Sequence, residues 1–245
     1  MSNMFKKNIT TSSEVQEAED FLGGGGSFTV PSDIYVATIK NAYGEVAESG
    51  AMGVVFEFEL EGRENTYTET MYVTNRNGEN FYKRNDKEFE LPGFIQANDI
   101  CLVAVGEGLF DIDTEDKLVE VWDRESKKRI PRERPVLVDL IGKTVSLGIL
   151  ETRENKTKKN ESTGKWEPVN EEIIRNSINK VWDTESQLTV FEARNEKDPE
   201  FYDLWLDKNK GVQRDAYKEV SASSSRPAGK AGSDRPSKMK FGKKG

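Results

Sequence analysis

The 245-residue chain contains no histidine and a single cysteine. It also has no apolar run of the ~18 residues that a bilayer-spanning segment needs. Each absence removes a class of function. Without imidazole there is no Ser-His-Asp or Cys-His nucleophile, no histidine general base and none of the usual zinc sites. Carboxylate, lysine and tyrosine chemistry remain, so a Mg²⁺ site built from Asp and Glu is the one common catalytic device still open. Cys101 lies in the apolar run 100–105 and reads as a buried core thiol. A lone cysteine forms no disulfide within the chain. The first seven residues are not followed by the apolar stretch of a signal peptide, so the expected location is the cytoplasm, with no membrane partner. Hydrophobic residues are scarce at 35% and charged ones make up 33%, which predicts one main domain with unfolded appendages.

Charge is divided unevenly. Residues 221–245 hold seven basic side chains (Arg226, Lys230, Arg235, Lys238, Lys240, Lys243, Lys244) against Asp234, so this stretch is +6 and the remainder of a chain of net charge −8 is −14. Such asymmetry points to a basic arm that seeks an acidic partner, either DNA or the protein's own acidic body. Its Ser, Gly, Pro and Lys composition cannot offset the entropy of ordering, and residues 213–245 are expected to form a disordered basic tail. At the other end, residues 1–27 read as an appendage. Ser12 or Ser13 can cap a short helix over 14–22, and Gly23-Gly24-Gly25-Gly26 then acts as a linker. That glycine run lacks the following lysine and Ser/Thr of a phosphate-binding loop. The folded domain is expected over 28–212.

Within it the β signal is clear. Residues 34–42 are strand-like, and 54–61 alternate strictly, with Val54, Phe56, Phe58 and Leu60 on one face and Val55, Glu57, Glu59 and Glu61 on the other. A third strand follows over 66–74, completing a meander. Leu91-Pro92-Gly93 opens a helix that includes 98–105, and 118–122 suggest a short strand. Residues 124–134 are basic and broken by Pro131, and Pro135 leads into 136–141. Alternation returns over 144–153, with Val145, Leu147 and Ile149 buried. Residues 173–182 read as its hairpin partner, with a helical stripe of Ile174, Ile178 and Trp182 as the alternative. Between the two, 154–170 is expected to be a projecting polar loop. A last helix follows Asp198 as cap and Pro199 in the first turn, shares Phe201, Leu204 and Trp205 on one face, and stops at Gly211.

Two acidic arrangements suggest metals. Asp111, Asp113, Glu115 and Asp116 lack the glycine and distal glutamate of a calcium loop and read as a solvated turn. Glu154-Asn155-Lys156 is half of a metal-nuclease signature, with no Pro-Asp pair on a strand shortly before it. A stronger constellation joins aromatic and basic residues: Tyr67 and Tyr72 on the third strand; Arg76, Phe81, Tyr82, Lys83 and Arg84 after it; and Arg153, Lys156, Lys158, Lys159, Lys165 and Trp166 in and beside the later polar loop. Exposed rings stack on bases while Lys and Arg follow phosphates, which is how single-stranded nucleic acid is held. For Tyr67 and Tyr72 core packing is an equal alternative, and the basic loops can also be simple solvated surface.

In layout, the chain resembles the single-stranded DNA-binding proteins of bacteriophages. The likeness spans roughly residues 28–195: the meander of 34–74, a helix, Asp139-Leu140-Ile141-Gly142-Lys143 leading into a strand, a basic hairpin loop, Asn179-Lys180-Val181-Trp182-Asp183, and 188–193. The resemblance implies a mainly β fold with a few helices (α+β), an OB-like five-stranded antiparallel barrel with extended loops, and base-independent binding in a groove lined by aromatics and basic loops. It further implies roles in phage DNA replication, recombination and repair, with single-stranded DNA and replication proteins (polymerase, helicase or primase) as partners, in the cytoplasm of a host bacterium, without a cofactor or catalysis. One departure stands out. Many such proteins end in an acidic recruiting tail, whereas this chain ends Lys238-Met239-Lys240-Phe241-Gly242-Lys243-Lys244-Gly245. A Mg²⁺-dependent nuclease using Glu154 and Lys156, and a DNA-packaging or scaffold component of a virion, are the alternatives.

Overall fold

A computed structural model describes residues 29–123 and 125–220; the expected N-terminal helix at 14–22, the glycine linker and the basic segment beyond 220 lie outside the described residues. In chain order the elements are β1 (Asp33–Val46), β2 (Met52–Leu60), β3 (Thr66–Tyr72), β4 (Phe81–Arg84), β5 (Lys87–Glu90), α1 (Pro92–Val105), β6 (Glu115–Asp123), β7 (Lys128–Val136), a single 3-10 turn (Val138–Leu140), β8 (Thr144–Lys159), β9 (Trp166–Trp182), α2 (Val190–Arg194), α3 (Glu200–Asn209) and β10 (Gln213–Asp215). The fold is mainly β with a few helices. β1, β2 and β3 form the antiparallel meander. β8 pairs antiparallel with β1 over 144–149 and with β9 along nearly its whole length, and the short β10 joins β8 in parallel.

No ladder joins β3 to β9, so the strand pairings form an open path rather than a closed five-stranded barrel. Side chains bridge the gap instead. The Glu69 carboxylate on β3 accepts the Ile178 N–H of β9 at 2.9 Å, and Gln96 of α1 donates to the Ile178 carbonyl at 2.6 Å. The register of β8 and β9 shifts beside this point, between Gly148 and Ile149. The main core fills the enclosed space with Ile39, Phe56, Phe58, Met71, Leu147 and Ile149. α1 caps it with Phe94, Ala97, Ile100 and Cys101. Pro92 suits the first turn of this helix, and Gly106, at φ 82°, ends it by donating to Leu102 O. Cys101 is fully buried, and burial pushes its thiol up to about 12, so it is an inert core side chain.

Several sequence expectations need correcting. β2 is a strand, but its Val55–Glu57 face is not open to solvent. The β6–β7 hairpin folds over it, and Tyr43, Val55, Val119 and Val136 form a second cluster there. Glu57 is 6% exposed and is held by Arg129 Nη1 at 2.9 Å. Pro131 does not break the basic stretch: it sits within β7, as does Pro135, and the second edge of this strand meets β1 only at Tyr43, so a missing N–H costs little. Residues 173–182 are strand, not helix. Segment 154–170 is not a loop: β8 and β9 run on as a two-stranded arm, reversing between Lys159 and Trp166. The polar stretch after β3 contains the β4–β5 hairpin, turned by Asn85 and Asp86 at φ 52° and 58°.

Asp198 does not cap α3 through its side chain; Pro199 precedes the helix without a side-chain bond. Nor does Leu204 share the buried face. Trp205 packs on Trp182 and Leu150, with Tyr202 and Leu206 beside it, while Phe201 and Leu204 are exposed. Finally, the fold extends past residue 212. β10 pairs with 151–153, and Lys218 N–H and Val220 N–H donate to the Asn155 and Asn170 side chains.

Candidate nucleic-acid interface

The base of the β8–β9 arm is neutralised by its own carboxylates. Arg153 donates through Nε to Glu172 at 2.7 Å, reaches Asp215 at 3.2 Å, and lies 4.7 Å over the Tyr217 ring. Lys156 pairs with Glu171 at 3.5 Å, Lys158 pairs with the same carboxylate, and Arg175 holds Glu154 at 3.0 Å. Lys158 and then Lys156 hold the Glu171 carboxyl below its ordinary range. These cations are committed across strands, where β-ladder geometry puts opposite charges within reach.

The arm's end differs. Lys159 and Lys165 have no acidic partner within ion-pair distance among the described residues, and Lys159 stands directly opposite Trp166 in the ladder. Trp166 is 68% exposed. The turn that presents it is well built: Asn160 N–H donates to Lys165 O at 2.7 Å, Asn160 Oδ1 accepts from the Ser162 and Thr163 N–H groups, and Gly164 takes φ 68°. Here an indole and two unpaired ammonium groups are held together in solvent.

The β4–β5 hairpin offers a second platform. Tyr82 and Phe89 are cross-strand partners with ring centroids 5.7 Å apart, and both are exposed. Lys83 pairs with Glu88 at 3.1 Å, whereas Arg84, and Arg76 in the preceding turn, have no ion pair among the described residues. Phe81 is half-buried. No hydrogen bond or ion pair among the described residues joins this hairpin to the arm's end. Of the meander tyrosines, Tyr72 is exposed at the end of β3. Tyr67 belongs to the core instead. Its ring lies against Phe58 and its hydroxyl donates to Glu69 at 2.6 Å, while the partly buried ring also lines the cleft between β3 and β9; burial and the adjacent Glu69 push the pKa of its hydroxyl up. Burial also raises the Glu69 carboxyl, opposed by the Tyr67 and Ile178 hydrogen bonds. Beside this seam, between β3 and β9, opens a cleft of about 760 Å³ whose lining includes Arg63, Asn65, Arg175 and Asn176.

Two aromatic residues were not anticipated. Phe89 is signalled by its symmetry with Tyr82 about the Asn85-Asp86 turn. Trp122, 58% exposed and opposite Arg129 on β6–β7, carries no comparable sequence mark. In the nuclease half-signature, Glu154 pairs with Arg175 at 3.0 Å and Lys156 with Glu171 at 3.5 Å, both on the exposed arm. Among the described residues no three His, Cys, Asp or Glu side chains converge as a metal cage, and no helix is long and apolar enough to cross a membrane. No protein-family model, no curated protein and no solved structure matches the chain.

Proposed function

We propose that the protein binds single-stranded DNA without base specificity, on an OB-type scaffold whose barrel is completed by side chains rather than by a ladder, and that it acts in phage DNA replication, recombination and repair alongside a polymerase, helicase or primase. The observation that carries the reading is Trp166. Folding gives no reason to hold an indole in solvent at the end of a two-stranded arm between two unpaired lysines. Base stacking does, contributing about 1–3 kcal/mol per base. Tyr82 and Phe89, with Arg84 and Arg76 nearby in sequence, supply a second surface of the same chemistry. The acidic body is compatible with this, because the field at a site is set by the charges around it, and at the arm's end Lys159 and Lys165 offset Glu161 and Glu167 beside Trp166.

A titration of labelled oligo(dT) at several salt concentrations tests the proposal. Log K should fall linearly with log[salt], by about 0.7 per phosphate contacted, with single strands preferred over duplex. Absence of binding at low salt, or equal affinity for duplex, refutes it. Deleting residues 221–245 distinguishes the packaging alternative: in that case all DNA affinity disappears with the tail.

A further inference from the structure

The surface formed by α2, α3 and the turn between them has the composition of a peptide-docking groove. Phe191, Phe201 and Leu204 are all exposed, and they line a groove of about 610 Å³ rimmed by Glu196, Asp198 and Glu200. Asp203 and Asp207 continue the acidic face one and two turns along α3. None of these five carboxylates has an ion-pair partner among the described residues. Two cations reach the groove: Lys180, which holds Asp99 at 3.4 Å, and Lys197, which lies 4.8 Å over the Phe191 ring and is outnumbered by the rim carboxylates. The remaining acid, Glu192, is buried and consumed by the Thr189 capping box. On the other side of the Phe201–Leu204 ridge the lining contains Lys208 and Arg214, which repel a basic ligand. The acidic side alone therefore fits a cationic peptide with apolar anchors.

The chain carries such a segment. Lys238-Met239-Lys240-Phe241-Gly242-Lys243-Lys244 places two apolar side chains between lysines. In an extended peptide Met239 and Phe241 point to one side and Lys238 and Lys240 to the other. The apolar pair fits the Phe191–Phe201–Leu204 floor, and the long lysine stems can bend to the rim. Reach is sufficient. Val220 is the last described residue, and Phe241 lies 21 positions further on, a span of up to about 70 Å when extended and about 25 Å on average as a flexible coil. The folded body has a radius of gyration of only about 16 Å. We infer that the basic C-terminal segment docks in this groove of its own chain, with Phe241 as anchor. The +6 segment then answers part of the −14 carried by the rest of the chain. This inference does not depend on nucleic-acid binding.

Zero-length carbodiimide cross-linking of the full chain, read by mass spectrometry, tests it. Lys238, Lys240, Lys243 and Lys244 should join Glu196, Asp198 and Glu200 about tenfold more often than the exposed controls Glu64 and Asp139, the preference expected of a contact distinguishing sites by one decade. Phe241→Ser and Leu204→Ser leave the net charge unchanged, and each should abolish most of that preference. Three results would overturn the inference: cross-links spread over the body's carboxylates according to exposure, a pattern indifferent to Phe241→Ser, or cross-links that form only between molecules in a mixture of isotopically light and heavy chains.

Discussion

Replacing Trp166 by alanine separates stacking from charge at the arm's end. The side chain is 68% exposed and has no hydrogen-bond or aromatic partner among the described residues, so folding stability should stay within about 0.5 kcal/mol of the parent. If a base stacks on the indole, about 1–3 kcal/mol of binding is lost, which is a weakening of roughly 5- to 150-fold. That loss should be the same at every salt concentration, because stacking releases no counterions. Lys159→Ala and Lys165→Ala should behave in the opposite way. Each removes one phosphate contact and flattens the plot of log K against log[salt] by about 0.7, so the double variant changes the slope by about 1.4. Arg153→Ala supplies the contrast: its guanidinium is already shared between Glu172, Asp215 and the Tyr217 ring, so it should leave the slope unchanged. Fluorescence anisotropy of labelled oligo(dT), measured for the full chain and these variants across a salt series, reads both quantities. If Trp166→Ala keeps affinity within twofold throughout, or if the slope is indifferent to the two lysines, the arm's end does not hold DNA.

Three further predictions concern the scaffold. Burial raises the Glu69 carboxyl above its ordinary value, so the folded state binds this proton more tightly than the unfolded one; its contribution is complete below the unfolded value near 4.3 and is lost as pH rises through the folded one. Glu69→Gln, which can still accept the Ile178 N–H, should flatten that decline, and urea midpoints measured upward from pH 4 that keep the parent's slope would count against the seam. Arg129→Met leaves the buried Glu57 carboxylate without its ion partner and should cost about 1–3 kcal/mol, most of it recovered in the double variant with Glu57→Gln; denaturant titration of the single and double variants tests this. Gly93→Ala should destabilise by about 3 kcal/mol, although alanine is the better helix former, since its Cβ would stand 2.4 Å from the Tyr72 carbonyl oxygen; a thermal midpoint equal to the parent's would show that α1 and β3 can move apart.

The strands that face the main core were legible because burial imposes a period of two, as in Val54-Phe56-Phe58-Leu60 and Val145-Leu147-Ile149. The arm was not. Residues 154–170 contain almost no apolar side chains, so nothing in their pattern distinguishes a solvated loop from two strands that bury little. Their order comes from the ladder and from cross-strand pairs such as Lys158 with Glu171, which exist only once the register is set. The same blindness hid the solvent-side partner of β2: Glu57 looks like a surface residue until Arg129, 72 positions later, is laid over it.

For the candidate site, residue type was readable and availability was not. A sequence shows that Arg153, Lys156, Lys158, Lys159 and Lys165 are basic, but three of them are spent on Glu171, Glu172 and Asp215, at separations up to 62 positions. The candidates without an ion pair among the described residues are Lys159, Lys165 and the exposed Trp166 on the arm, Arg84 and Arg76 on and before the short hairpin, and the exposed rings of Tyr72, Tyr82 and Phe89. Ion pairing with carboxylates takes up part of the body's bases, including Arg153, Lys156 and Lys158 on the arm, and leaves Lys159 and Lys165 at the arm's end without an acidic partner among the described residues. Affinity built from so few phosphate contacts should have a shallow salt slope and depend mainly on its aromatic rings. Trp166 is then the side chain whose loss weakens binding most.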